Sequence, residues 1–337
     1  MNLPDSYRKV VVTDPSLDFR AATEVIEVPM PELAPDEVLI RNHYAGVNAS
    51  DINIAAGVYS EGKALPLDTG VEACGEVVAV GSDIQDYKVG DAVLTTLFTG
   101  IGAGYREYYP AKVSNIIHAP DLSPGVLCLP IAAATAYIAL HFVAEMGQDE
   151  VVLVTAAAGG VGHLAAQFAK IAGNHVIGTC GSAEKVALLE DLGVDRIINY
   201  REEDPAAVLA DEYPEQLTVV MENVGKSLFD TAVDNLAIRG RLVVNGYISE
   251  YQSQPEVMQQ ARVYYKLLWK SASLRGFLLP HYLEHLEEAI GESFRLYSEG
   301  KLRPVTDPTT FKGVEQVADA VEYLYTGQNV GKIVVSF

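Results

Sequence analysis

Val151-Val152-Leu153-Val154-Thr155-Ala156-Ala157-Ala158-Gly159-Gly160-Val161-Gly162 is the stretch that decides the fold. Its first four residues have the unbroken aliphatic pattern of a buried parallel strand, and the small residues that follow read as a tight turn. Val161, Leu164, Ala165, Phe168, Ala169 and Ala172 then recur at helical spacing, and 175–180 supplies a second strand. Strand, glycine turn, helix and strand in that order make a βαβ unit of the dinucleotide-binding kind. Ala156, Gly159, Gly160, Val161 and Gly162 are the expected cofactor loop. Small residues at 156, 159 and 162 let the backbone approach a pyrophosphate, whose charge meets unpaired N–H groups and the positive end of the helix dipole. A glycine turn without a ligand is the alternative, and the surrounding pattern weighs against it.

The residues after the second strand select the cofactor. An acid there would accept the ribose hydroxyls of NAD and repel the extra phosphate of NADP. The chain instead continues Gly181-Ser182-Ala183-Glu184-Lys185, with Lys185 about one turn into the next helix, in reach of a 2′-phosphate as a point charge. Gly181, Ser182 and Lys185 therefore favour NADPH. Tyr200 and Arg201, closing the expected strand 196–200, are candidates to stack on adenine and to pair with the same phosphate. A solvated surface role accounts equally well for either cation.

With 337 residues the chain exceeds what one core usually supports, so two domains are expected. Hydrophobic residues at 49% and charged residues at 20% are close to globular averages. No apolar run is read as reaching the ~18 residues of a membrane span, and no signal peptide is read. A net charge of −21 repels nucleic-acid phosphates and anionic membranes, which excludes those partners from the expectation. Cys74, Cys128 and Cys180 are odd in number and far apart, which suits a reducing cytoplasm rather than a disulfide framework.

The first 120 or so residues show short alternating strands, at 9–13, 37–41 and 76–81, separated by Gly, Pro and Asp turns. From Leu127 an alanine-rich helical run leads into the glycine loop, and strands near 175–180, 196–200, 217–222, 241–246 and 273–279 then alternate with helices. The expected fold class is α/β: a doubly wound parallel sheet of Rossmann type, at 126–300, beside a β-rich domain at 1–125. The last strand, at 331–335, is expected to return to the β-rich domain, giving it 301–337 as well.

Gly46-Val47-Asn48-Ala49-Ser50-Asp51, Gly70-Val71-Glu72, Gly90-Asp91-Ala92-Val93, Thr135-Ala136-Tyr137 and Gly331-Lys332 together resemble the recurring motifs of the medium-chain dehydrogenase/reductase superfamily. The likeness spans nearly the whole chain and implies that the β-rich domain is the GroES-like catalytic one. Segments 173–180, 239–244 and 270–277 are most similar to the branch of prostaglandin reductases and zinc-free quinone oxidoreductases. The departures bear on metal chemistry. Against the zinc alcohol dehydrogenases, Asn48 stands where a Cys ligand would be and Val71 where a His would be, and no four-cysteine lobe is present near 90–115. No metal is expected. His281 and His285, four apart beside Glu284 and Glu288, read as a solvated helix face.

Without a metal to polarise an alcohol oxygen, hydride addition to an activated C=C is the better fit. Charge then moves to the carbonyl oxygen, where a hydrogen-bond donor stabilises the enolate. Tyr251, in a segment resembling the family's Ile-Ser-x-Tyr signature, is the expected donor, with Tyr59 the second choice and Tyr247 a neighbour. Asn48, with Asp51, either shapes the site near the nicotinamide or serves as a hydrogen-bonded strut. The resemblance further implies cofactor contacts from Thr135, from Asn223-Val224-Gly225, from Gly246 and from Asn329. Asn223 and Gly246 also have a physical warrant, because open α/β sheets bind ligands at the carboxyl ends of their strands. The polar stretch 250–262 reads as a mobile flap over the substrate or as a plain connector.

The activity these residues imply is an NADPH-dependent, zinc-independent reductase acting on a small lipophilic enone or alkenal, of 15-oxoprostaglandin or 2-alkenal type. Quinone reduction is the alternative enzyme, and a non-catalytic, crystallin-like NADPH-binding protein the alternative of another class. The hydrophobic strand at 273–279 would lie at a sheet edge and needs a cover, which with the resemblance implies a homodimer.

Overall fold

Aliphatic runs of four to six residues, each followed by an amphipathic segment, build the second half of the chain into strand–helix repeats. The computed structural model describes residues 3–59, 62, 64–95, 102–253 and 256–337 and divides them into two units, Met1–Ile131 with Thr306–Phe337, and Ala132–Val305.

The second unit is a six-stranded parallel sheet. Its spatial order is Arg196–Asn199, His175–Cys180, Val151–Val154, Leu217–Glu222, Leu236–Val244 and Ser273–Gly276. The first three strands run outward in reverse chain order and the last three outward on the other side, so the chain reverses direction beside Val151–Val154, where such sheets bind ligands. Leu153, Ile177, Ile198, Val220, Leu236 and Leu242 of the strands form one core with Leu209 from the helix Pro205–Glu212. Each is wholly buried, worth about 1.5–3 kcal/mol apiece against exposure. Strand Leu236–Val244 begins several residues before its expected start, and its register against Leu217–Glu222 shifts between Leu217 and Val219.

The first unit is β-rich. One sheet orders Thr23–Pro29, Ser6–Val12 and Leu67–Asp68; the other orders Phe311–Lys312, Val334–Ser336, Glu37–Gly46, Ala73–Val80, Ala92–Thr95 and Ile116–His118, with Tyr108–Lys112 paired to Glu37–Gly46. The C-terminal strand pairs antiparallel with Glu37–Gly46, so the chain's end returns to the unit that holds its start.

The unit borders differ from 125/126 and 300/301 for identifiable reasons. The turn Pro124–Cys128 packs on strands Glu37–Gly46 and Ala73–Val80, which keeps it with the first unit. Arg303 and Val305 are hydrogen-bonded to Gln167 and His163, which keeps them with the second. The membrane expectation needs a correction too. Among the described residues one helical run, Pro124–Val143, has the length and mean hydropathy, 2.0, to cross a bilayer, and 78% of it is buried within the protein. Pro, Gly, Thr, Tyr and His interrupt its aliphatic residues, so the run is inconspicuous in sequence. Burial in the core explains its composition without a membrane. π-type turns at Leu129–Ala133 and Ala139–Val143 flank a regular α-helical segment, and Pro130, which has no N–H to donate, lies in the first of them.

Candidate active site

The glycine loop is shaped at its two ends. Ala156 takes the left-handed conformation at φ 49°, its N–H donating to Thr179 Oγ1 at 3.2 Å and that of Ala157 to Thr179 O at 2.9 Å. Gly162 lies against the carbonyl of Ala156 so closely that any Cβ would overlap its oxygen. The helix Gly162–Ile171 starts there with Val161 as its N-cap and no capping side chain. The N–H groups of His163 and Leu164 already donate to Gly159 O at 3.1 Å and Val161 O at 3.2 Å, so the amides ahead of them in the loop are the ones that would meet a pyrophosphate.

Gly181, Ser182, Lys185 and Tyr200 come together at the ends of the paired strands His175–Cys180 and Arg196–Asn199. Gly181 faces the phenol of Tyr200, which a Cβ would displace. Tyr200 keeps 46% exposure, and the Arg201 guanidinium is 5.9 Å from its ring centre. Ser182 caps the next helix through the Lys185 N–H at 3.3 Å. The Lys185 side chain is buried rather than solvated; burial pushes the neighbouring Cys180 thiol up, opposed in part by its bond to Ser182 and by the Lys185 charge. A planar aromatic, a serine and a buried cation at a glycine-lined strand end fit the adenosine half of a phosphorylated dinucleotide.

On the other side of Val151–Val154, a network that sequence reasoning missed fixes the strand ends. Asn223 donates through its backbone to Thr155 Oγ1 at 2.7 Å and through Nδ2 to Thr155 O at 2.8 Å, and accepts from Asn245 Nδ2 at 2.6 Å. Buried Glu222 accepts the N–H groups of Val224 and Gly225 at 2.7 and 2.6 Å. Burial raises its pKa, and these bonds oppose the rise. The signal was a single acid ending the aliphatic strand Leu217–Glu222. Gly225 then turns at φ 88° into the next helix. Tyr251 follows the turn Ile248–Glu250; its hydroxyl accepts the Tyr247 N–H at 3.4 Å and lies over Gly246, and the two tyrosine rings meet edge to face at 4.6 Å. Thr135 is buried in the helix Ala134–Ile138.

The first unit holds a buried polar cluster. Lys332 pairs with Glu72, the two side chains 3% and 1% exposed, and donates to Asn48 Oδ1 at 2.7 Å. Asn48 Nδ2 donates to Glu72 Oε1 at 2.8 Å. Both ends of the Asn48 amide are thus engaged inside the unit, as a strut requires. Asp51, wholly buried, accepts the Tyr105 hydroxyl at 2.5 Å and the Asn48 N–H at 2.8 Å; burial raises its carboxyl to about 6. Tyr59 is 41% exposed, and Asn329 is buried, donating to Gly331 O at 3.0 Å.

Among the described residues no group of three or more His, Cys, Asp or Glu is placed to hold a metal. At the position of interest the donor set is an amide, a valine and a carboxylate already neutralised by an ammonium, which does not fit zinc. His285 stacks on Phe142 at 3.8 Å.

A GroES-like β unit joined to a doubly wound sheet with this loop defines a class. Residues 34–121 match the alcohol dehydrogenase GroES-like domain and residues 160–294 the zinc-binding dehydrogenase domain, and the chain belongs to the medium-chain dehydrogenase/reductase superfamily. It is 43% identical to prostaglandin reductase-3 of Mus musculus over 99% of this chain and 90% of that protein. It is 38% identical to a probable quinone oxidoreductase of Leishmania amazonensis over 99% of each. Among solved structures, the Escherichia coli quinone oxidoreductase complexed with NADPH superposes with a TM-score of 0.81 at 25% identity, covering 98% of this chain and 100% of that one.

Proposed function

We propose that this chain is an NADPH-dependent, zinc-independent reductase of the C=C bond of α,β-unsaturated ketones and aldehydes. The observation that carries the reading is the Tyr251 phenol held over Gly246, at the same sheet edge as the dinucleotide loop. The similarity to prostaglandin reductase-3 supports it. NADPH, when bound, supplies the hydride. The loop Ala156–Gly162 holds the pyrophosphate, and Ser182, Lys185 and Tyr200 hold the adenosine end. Asn223 and Gly246 would line the nicotinamide end, with Thr135, Tyr247 and Asn329 as further candidate contacts.

Tyr251 donates its phenol O–H as a hydrogen bond to the substrate carbonyl. That oxygen gains negative charge as hydride reaches the β-carbon, so the donor stabilises the charge where it develops. A proton from solvent completes the α-carbon. Tyr59 is the alternative donor, and Asn48 supports the loop 48–51. Quinone reduction is the second reading, favoured by the likeness to the two quinone oxidoreductases.

Among the described residues the edge strand Ser273–Gly276 pairs with another strand on one side only, which supports a homodimer through that edge. Three free, buried cysteines support a reducing, cytoplasmic setting. NADPH oxidation with an enone, a quinone and a simple ketone, each with and without a chelator, tests the reading. Chelator-insensitive enone turnover is expected, quinone-only turnover promotes the second reading, and silence on all three defeats both.

A further inference from the structure

His163, the second residue of the dinucleotide helix, is completely buried. Its backbone N–H donates to Gly159 O at 3.1 Å, and its ring Nδ1 lies 2.8 Å from the same oxygen. Nε2 lies 3.0 Å from the backbone nitrogen of Val305. An amide N–H only donates, so Nε2 is the acceptor, the proton resides on Nδ1, and the ring donates to Gly159. One turn along, Gln167 clamps Arg303: Nε2 donates to its carbonyl at 3.0 Å, and Oε1 accepts its N–H at 2.7 Å. Two side chains of one helix therefore hold 303–305, the last residues of the second unit before the chain passes into the first at Thr306.

A loop carbonyl turned toward an anion repels it, whereas one drawn back by two N–H donors leaves amides to face the charge. We propose that His163 is a positioning residue that holds the Gly159 carbonyl away from the cofactor pyrophosphate, coupling occupancy of the loop to the seating of 303–305. The inference rests on the NADPH reading given under Proposed function.

His163→Leu keeps apolar volume but removes both ring bonds, and His163→Gln restores a donor and an acceptor. The Leu variant raises Kd and KM for NADPH about tenfold with kcat at saturation within about twofold, and the Gln variant recovers most of the affinity. Hydrogen exchange on the intact chain gives a readout without turnover. NADPH slows exchange in both 156–163 and 303–306 of the wild type, and only in 156–163 of the Leu variant. Loop protection without protection of 303–306 in the wild type overturns the coupling and leaves the cofactor reading intact. So does a Leu variant of unchanged affinity, or one that Gln does not improve. A wild type with no NADPH protection anywhere overturns the cofactor reading and this inference with it.

Discussion

Lys332→Met removes the ammonium from the buried cluster of the first unit. The ammonium makes an ion pair to Glu72 and a charge-assisted bond to Asn48 Oδ1 at 2.7 Å, at side-chain exposures of 3% and 1% for Lys332 and Glu72. After substitution the Glu72 carboxylate keeps the Asn48 Nδ2 donor at 2.8 Å on Oε1, while Oε2, already without a hydrogen-bond partner, stays buried. Removing one member of such a pair costs about 3–5 kcal/mol, because a charge is left in a low-dielectric interior. That is a large share of the ~5–15 kcal/mol that holds a domain folded. Urea denaturation followed by circular dichroism measures it as a drop in the midpoint at unchanged slope. Combining Glu72→Gln with Lys332→Met removes both charges and keeps an acceptor for Asn48, so it recovers most of the loss. A Lys332→Met loss under about 1 kcal/mol, or a double variant no more stable than the single, refutes the claim that the pair is a buried, mutually compensated charge.

Tyr251→Phe lowers kcat for an enone about a hundredfold and leaves Kd for NADPH unchanged, by steady-state kinetics and fluorescence titration; an unchanged kcat removes Tyr251 from the donor role. Asp51 is raised by burial from 3.8 to about 6 in the folded chain, so the folded state holds the proton more tightly than the unfolded one. Its contribution is therefore fully present below pH 3.8, falls by about 3 kcal/mol as the pH rises to about 6, and is flat above. Asp51→Asn flattens stability over that window, and an unaltered pH profile counts against a buried, titrating Asp51. Sedimentation equilibrium gives twice the chain mass of 36.3 kDa, about 73 kDa, if the edge strand pairs with a second copy; a species at 36.3 kDa removes that partner.

Periodicity made most of the architecture legible. Each aliphatic run from Val151–Val154 to Leu217–Glu222 became a strand of the parallel sheet close to its expected bounds, because buried parallel strands need continuous apolar faces. The contacts of polar residues were much less legible. Lys332 meets Asn48 across 284 positions and Tyr105 meets Asp51 across 54, pairings that only the folded sheets create. His163 and Glu222 looked like ordinary helix and strand residues, since nothing local shows what a buried polar group bonds to. Lys185 and Asn48 each carried two readings in sequence. In the fold Lys185 is buried, and both ends of the Asn48 amide are hydrogen-bonded, neither of which the sequence shows.

The central claim is that hydride goes to carbon in a C=C bond without a metal. Turnover of an enone with NADPH deuterated at the transferring position, in the presence of a chelator and followed by NMR of the product, tests it directly. The account predicts a saturated ketone or aldehyde with deuterium at the β-carbon and the carbonyl intact. An allylic alcohol with deuterium on the former carbonyl carbon, or turnover abolished by the chelator, contradicts it.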